Sequence, residues 1–323
     1  MSLTRRDFLA TSAVTLGAFA GHPFRLLAQA AQQPVFTPIR RNVGTFTMRG
    51  GTVGWLVNPR GVAVVDTQFP AEARALLAGL QERSRNRGVD VLINTHHHGD
   101  HTGGNGVFRG VARRVVAHGM ADQHMRRAPQ PPQPPQPPQQ AQPAQQPPAQ
   151  PAPPPPLYPD TIFSHTWSTA VGDERIVARH YGRGHTSGDA VITFERANVV
   201  HVGDLGFHRR HPVVDRAAGA SMRNWARLLR EVVDSHARDT IYIFGHAKEG
   251  LPVTGSGAEL LQFRDYLQAV LAFVERHVAA GRSREEILAM RAALPGFEAW
   301  GPFGQAGARD PISVAYEEVT TGA

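Results

Sequence analysis

Residues 95–105 read Thr-His-His-His-Gly-Asp-His-Thr-Gly-Gly-Asn. Histidine and aspartate at this density are the donors that hard or borderline divalent cations prefer. On an extended chain His96, His98 and Asp100 project to one side and His97 points away, while His101 turns in from the bend. Four ligand-type side chains within six positions exceed what one ion needs from a single segment. Two ions sharing the segment account for all four. The following Gly103-Gly104 permits a sharp turn, or a helix that begins close to the metal.

Three later positions repeat the same chemistry after apolar stretches. Gly184-His185-Thr186-Ser187-Gly188-Asp189, Gly203-Asp204 and Gly245-His246 each follow a segment that reads as a strand, and each is expected at that strand's end. Singly, such residues are ordinary loop histidines or turn aspartates. With the 96–101 cluster they form a set at the ends of strands, where sites in mixed α/β folds collect.

The pattern His96-x-His98-x-Asp100-His101, His185, Asp204, His246 resembles the metallo-β-lactamase superfamily. Asp66, in Val64-Val65-Asp66-Thr67, matches that family's first motif, an aspartate on an early strand that supports the metal ligands. The resemblance covers roughly residues 35–280. It implies an α+β fold of four layers (αβ/βα), with a metal site at one edge of two packed sheets. Carried over by position, His96, His98 and His185 would hold one ion. Asp100, His101 and His246 would hold the second, with Asp204 bridging both. Aspartate at position 204 is typical of the glyoxalase-II-like and lactonase-like members, whereas many β-lactamases of the fold carry cysteine or serine there.

Nitrogen and carboxylate donors without thiolate suit Zn²⁺, two ions being expected, with Fe²⁺ or Mn²⁺ as substitutes. The expected reaction is attack of a metal-bridging hydroxide on the carbonyl of a small-molecule ester, thioester or lactone, with Asp100 orienting the nucleophile as well as binding metal. Metal binding lowers the pKa of water from 15.7 to about 7, which no side-chain base matches. β-Lactam hydrolysis is the alternative within the hydrolases. A mononuclear-iron enzyme oxidising a sulfur compound is the alternative from another class, and a noncatalytic metal-bearing module is a third. His208, Arg209, Arg210 and His211 after Asp204, and Lys248 after His246, are candidates for contacting an anionic substrate. His97, His180 and His201 are expected to be structural; His118, His124 and His165 are given no role, and Trp225 and Phe263 are expected in the core.

The elements that must position these residues follow from periodicity. Gly51–Val57 and Gly61–Asp66 flank Asn58-Pro59-Arg60 as a hairpin, and Ala73, Leu76, Leu77 and Leu80 are spaced for a helix. Val89–Thr95 and Arg114–Ala117 read as strands, with a short helix near Met120–Arg126. Arg175–His180, Asp189–Glu195, Asn198–Val202 and Thr240–Phe244 read as further strands. Met222, Trp225, Leu228, Leu229, Val232 and Val233 make one helical face, and Leu260, Phe263, Leu267, Val270, Leu271 and Val274 another. Two β-rich halves with outward helices predict sheet packed on sheet.

Composition narrows the classes. Cysteine is absent from the 323 residues, which removes thiol catalysis, disulfides and Cys-based metal sites. The formal charge is +7, yet no basic run or aromatic-basic interleaving accompanies it, so no nucleic-acid partner is expected. No apolar run reaches the length of a membrane span. Arg5-Arg6-Asp7-Phe8-Leu9, mild apolar residues to Ala20, and Ala28-Gln29-Ala30 resemble a twin-arginine signal over residues 1–30. Export to a periplasmic or secreted location follows, with cleavage after Ala30 or Ala20. Residues 31–323 are expected to form a single metallo-β-lactamase-like domain, interrupted at 128–156 by a Pro/Gln/Ala-rich insertion. Residues 128–159 hold 16 of the 26 prolines, which disfavours helix and sheet alike. A polyproline-rich surface loop is expected there, with docking of a protein partner as its alternative role.

Overall fold

The computed structural model describes residues 33–127 and 155–322, so the segment expected to be a signal and nearly all of the proline-rich insertion lie outside the described residues. Four strands open the fold as an antiparallel meander: β1 (Val35–Arg40), β2 (Val43–Thr47), β3 (Val53–Asn58) and β4 (Gly61–Val65). Helix α1 (Pro70–Ser84) crosses over to β5 (Val91–Ile93). A single helical turn, α2 (Gly99–Thr102), then leads to β6 (Val115–His118), α3 (Gly119–Arg127) and β7 (Thr161–Phe163). Strands β4 to β7 pair in parallel and complete a seven-stranded sheet in sequential order.

The second sheet has six strands. β8 (Thr166–Val171), β9 (Glu174–Arg179), β10 (Val191–Phe194) and β11 (Val199–His208) are antiparallel neighbours. Helix α4 (Met222–Asp234) crosses over to β12 (Ile241–Ala247), which lies parallel to β11, and β13 (Thr254–Gly255) closes the edge. Helices α5 (Gly257–Ala279), α6 (Arg284–Ala289) and α7 (Pro311–Thr321) follow. Among the described residues no helix is long and apolar enough to cross a membrane.

Alternation within the strands builds the layers. Ala63 and Val65 of β4 join Ile192, Val199 and Ile243 of the other sheet in a shared apolar layer. Their neighbours Val62 and Val64 face Leu76 and Leu80 of α1. On the far side, Val200, Val202 and Phe244 pack against Trp225 of α4 and Phe263 of α5. A strand buried on both faces must be apolar at every position, and β4, with all five residues buried, is. The result is helix, sheet, sheet, helix, the four-layer α+β sandwich expected.

Two strands differ from expectation in a way that matters. β11 runs ten residues, so Asp204 sits inside it rather than at its end, and β12 likewise contains His246. The pairing of β11 with β12 slips between His201 and Gly203 and again between Gly203 and Phe207. Gly203 takes φ +52, a left-handed conformation that glycine adopts without strain. The apolar run Asn198–Val202 reads as a strand that stops at this glycine, whereas the backbone kinks there and continues.

Candidate metal centre

The loop after β5 does not stay extended. His98 is the last extended residue (φ −63, ψ 148), and Gly99–Thr102 form the helical turn α2. Asp100 and His101 therefore leave the alternating register of His96 and His98, although the His101 ring still lies 4.3 Å from that of His96. Gly103 and Gly104 have ordinary right-handed backbone angles, and the Gly104 N–H donates to the Gln68 carbonyl at 2.7 Å. A Cβ on Gly104 would overlap that of Ala73, so this glycine serves close packing rather than a left-handed turn.

Among the described residues the expected ligands collect into two donor groups, each within 4.8 Å: His96, His98, His185 and Asp204 in one, and Asp100, His101 and His246 in the other; a third group, His97, His98 and Asp215, shares His98 with the first. Asp204 reaches into both groups of expected ligands. One of its oxygens, Oδ1, is 3.0 Å from His101 Nε2; the other, Oδ2, is 3.4 Å from both His185 Nε2 and His246 Nε2. His101 Nε2 and Asp204 Oδ1 are not aligned for a hydrogen bond, and both remain buried without a partner. Asp100 is the most exposed of the seven and lies 3.1 Å from His246 Nε2.

The imidazole tautomers follow from what each ring meets on its outer side. His185 Nδ1 is 2.7 Å from the Val213 carbonyl, which only accepts, so Nδ1 carries the proton. His98 Nε2 donates to Asp215 Oδ2 at 2.9 Å, and His101 Nδ1 donates to Asp66 Oδ2 at 2.8 Å. The Thr95 hydroxyl donates to Asp66 and therefore accepts from His96 Nδ1 at 3.0 Å. His96 Nε2, His98 Nδ1 and His185 Nε2 are left as inward lone pairs. His98 Nδ1 lies 3.1 Å from His96 Nε2 and 2.8 Å from His185 Nε2, with no proton left for a hydrogen bond between them. Three converging lone pairs repel unless a cation neutralises them, and this donor set fits a divalent ion.

Protonation behaves consistently. Burial lowers His96 well below the usual imidazole range and brings His185 down to about 3, so both are neutral ligands at physiological pH. Burial opposes charge on His101 and His246 too, but Asp204, with Asp66 beside His101 and Asp100 beside His246, outweighs it and raises both. Burial tends to raise Asp204 itself, and the charges of His246 and His101 hold it well below the carboxylate range. A cation replaces the proton that these carboxylates otherwise attract.

Several side chains and glycines support these ligands from behind. Asp66 follows β4 with φ +66 and accepts from the Thr95 N–H, the Thr95 hydroxyl and His101, which fixes two ligand segments together. A Cβ on Gly245 would overlap Asp204 Oδ1, and one on Gly51 would overlap the His101 ring. Asp189 accepts from the Gly184 and Thr186 N–H groups and so shapes the loop presenting His185, while burial pushes its carboxyl up to about 7. Asp215 lies 117 residues beyond His98 in sequence. Of these supports, Asp66 is expected from the family's first motif and Thr95 adjoins His96, whereas Gly51 and Asp215 have no signal in the sequence.

The remaining candidates sit elsewhere. His208 Nδ1 donates to the Pro252 carbonyl at 2.8 Å, and Lys248 Nζ donates to the Ala299 carbonyl at 2.7 Å. Arg209 has φ +51 with its Nε buried and unpartnered, and Arg210 is exposed. His211 bonds Tyr266 and Gly301, which ties it to the C-terminal segment. His201 bonds the Thr52 carbonyl and the Gly203 N–H, and His180 bonds the Asp189 carbonyl. His97 packs against His124, ring centroids 4.8 Å apart.

Comparison with known proteins agrees with this geometry. A family model described as the Metallo-beta-lactamase superfamily matches residues 47–246, more than half of the chain. The chain belongs to the metallo-beta-lactamase superfamily. The matched span contains every residue of both donor groups and ends on His246. A hydroxyacylglutathione hydrolase of Synechococcus sp. (strain ATCC 27144 / PCC 6301 / SAUG 1402/1) is 51% identical over 49 residues, 15% of this chain and 17% of that protein. The match thus spans about a sixth of the curated relative's length. Among solved structures, a metallo-beta-lactamase from Pontibacter korlensis superposes with a TM-score of 0.56 at 18% identity, covering 73% of this chain and 99% of its own. The metallo-beta-lactamase IND-7 gives 0.54 at 18% identity, covering 72% and 98%. At these identities the structures establish shared architecture.

Proposed function

We propose that this superfamily member is a dinuclear zinc hydrolase acting on ester, thioester or lactone carbonyls. The observation that carries the reading is the pairing of two donor groups through one aspartate, Asp204, whose two oxygens face both. The short match to a hydroxyacylglutathione hydrolase favours thioesters within that class. Bound divalent ions supply Lewis acidity and a hydroxide nucleophile at neutral pH.

The chain's own residues do the rest. His96, His98 and His185 offer nitrogens whose orientation is fixed from behind by Thr95, Asp215 and Val213. Asp100, held low by His246 and His101 although burial works against it, offers a carboxylate at the open side of the cluster. Phe207 stacks on the His246 ring at 5.4 Å and Trp225 packs on His185 at 5.6 Å, so the walls behind the ligands exclude water.

Metal content of the purified protein, measured beside turnover of an aryl thioester, an aryl ester, a lactone and a chromogenic β-lactam, tests this reading. Two zinc ions per chain with thioester, ester or lactone turnover is the expected result. A single iron without turnover, or turnover of the β-lactam alone, overturns it. Export by the twin-arginine route belongs to the same proposal. Replacing Arg5 and Arg6 together by Lys should leave the protein in the cytoplasmic fraction, and unaltered export of that variant refutes the route.

A further inference from the structure

The C-terminal segment lies beyond the residues matched by the family, yet it touches the metal centre. The Val214 N–H donates to the Arg309 carbonyl at 2.9 Å, which brings the two segments side by side. The Arg309 guanidinium then meets Asp215 Oδ2 at 3.0 Å, the same oxygen that accepts from His98 Nε2 at 2.9 Å. Asp215 is 2% exposed, whereas the Arg309 side chain is half in water. A buried carboxylate oxygen shared by a ligand imidazole and an arginine is a fixed point rather than a loose surface pair.

Arg309 is itself fixed. The next residue, Asp310, caps α7 by accepting from the Ile312 and Ser313 N–H groups, with Pro311 opening the helix. Glu318 of α7 accepts from the Met222 and Arg223 N–H groups at the start of α4. His211 stacks on Phe303 at 4.3 Å and bonds the Gly301 carbonyl, and Lys248 bonds the Ala299 carbonyl. Both contacts tie down residues 299–303. The loop that carries His211 also supplies Val213, whose carbonyl orients His185.

We infer that the C-terminal segment completes the metal centre, with Arg309 as a positioning residue that holds Asp215 on His98. The inference rests on the metal-centre reading above. Its consequence is that metal affinity depends on a residue outside the family's common core, which touches neither metal ligand nor substrate.

The test is zinc affinity of the metal-free full chain, read by competition with a chromogenic chelator, for wild type, Arg309→Met, Asp215→Ala and the double variant. Thermal unfolding of each metal-free protein is measured alongside. Removing a partner behind a ligand weakens metal binding roughly 10–100-fold. Asp215→Ala should fall in that range and Arg309→Met near its lower end, about tenfold. The double variant should bind as Asp215→Ala does, because Arg309 acts only through Asp215. Arg309→Lys, which keeps a cation there, should recover part of the affinity.

Wild-type affinity in Arg309→Met overturns the inference and leaves the metal centre standing. So does an equal loss from Arg309→Met with or without Asp215, or a fall in metal-free stability with unchanged affinity. Wild type that binds zinc no better than His98→Ala overturns the metal-centre reading, and this inference with it.

Discussion

At the scale of single residues, the centre depends on carboxylates that do different jobs in the same few ångströms. Asp204 stands between the two donor groups, whereas Asp66 bonds His101 directly and reaches His96 of the other group only through the Thr95 hydroxyl. Asp204→Asn removes the charge that both groups share, so zinc retained after dialysis should fall in both, read as stoichiometry by elemental analysis. Asp66→Asn leaves Asp204 in place but removes the charge on which His101 and Thr95 converge. It should weaken the ion held by His101 by roughly 10–100-fold and the one held by His96, which Asp66 meets only through Thr95, by less. Full zinc content in Asp204→Asn would contradict its place between the groups. Equal loss of both ions in Asp66→Asn would contradict the asymmetry.

At the scale of elements, β11 and β12 must approach closely enough for Asp204 and His246 to share one centre. Parallel strands with side chains at every position could not do so here. Gly245, beside Asp204, and Gly203, at the kink of β11, leave the room. Trp225 Nε1 of α4 donates to the Leu205 carbonyl at 3.1 Å and holds the irregular stretch from the other side. Gly245→Ala adds one methyl group where Asp204 Oδ1 sits, so Asp204 must leave its position or β12 must shift. Either movement should cost at least tenfold in zinc affinity, measured by chelator competition. Unfolding of the metal-free protein should move by only about 1–3 kcal/mol, as for other overpacked sites. A variant that binds zinc as wild type does would show that the approach of the two strands is not limiting.

At the scale of the whole molecule, buried histidines couple stability to pH. Burial brings His97 and His185 down to about 3, and His118 and His201 to about 4, from an ordinary 6.5. Between those values and 6.5 the unfolded chain binds protons that the folded chain refuses, so stability rises with pH across that window. His101 and His246 act in the opposite sense. Their raised values add stability below 6.5 that is lost as pH climbs through them. Urea unfolding of the metal-free protein should therefore strengthen from about pH 4 to about pH 6.5 and weaken above it. Zinc binding, which must displace the His101 proton, should tighten with rising pH through the same upper range. A metal-free protein whose stability is flat from pH 4 to 6.5 would contradict the neutral burial of these rings.

Much of the centre was legible along the chain. The 96–101 cluster, the histidine and aspartate signals at 185, 204 and 246, and the alternation that makes two sheets with outer helices are local patterns, and ligand types and strand periods are local properties. The apolar run within Gly61–Asp66 was legible as one arm of a hairpin, and its burial on both faces came from the structure. The family resemblance already implied how those donors divide; what the tertiary structure decided is what holds each ring from behind and where the strands bend. The helical turn at Gly99 takes Asp100 and His101 out of the extended register, yet leaves the His101 ring 4.3 Å from that of His96. Gly51, Gly245, Asp215 and Arg309 carry no mark in their own neighbourhoods. Each matters only through a partner that folding brings near, from 41 residues away for Asp204 beside Gly245 to 117 for His98 beside Asp215. Close approach and shared hydrogen-bond acceptors are properties of pairs distant in sequence, and they come into being only when both sheets are in place.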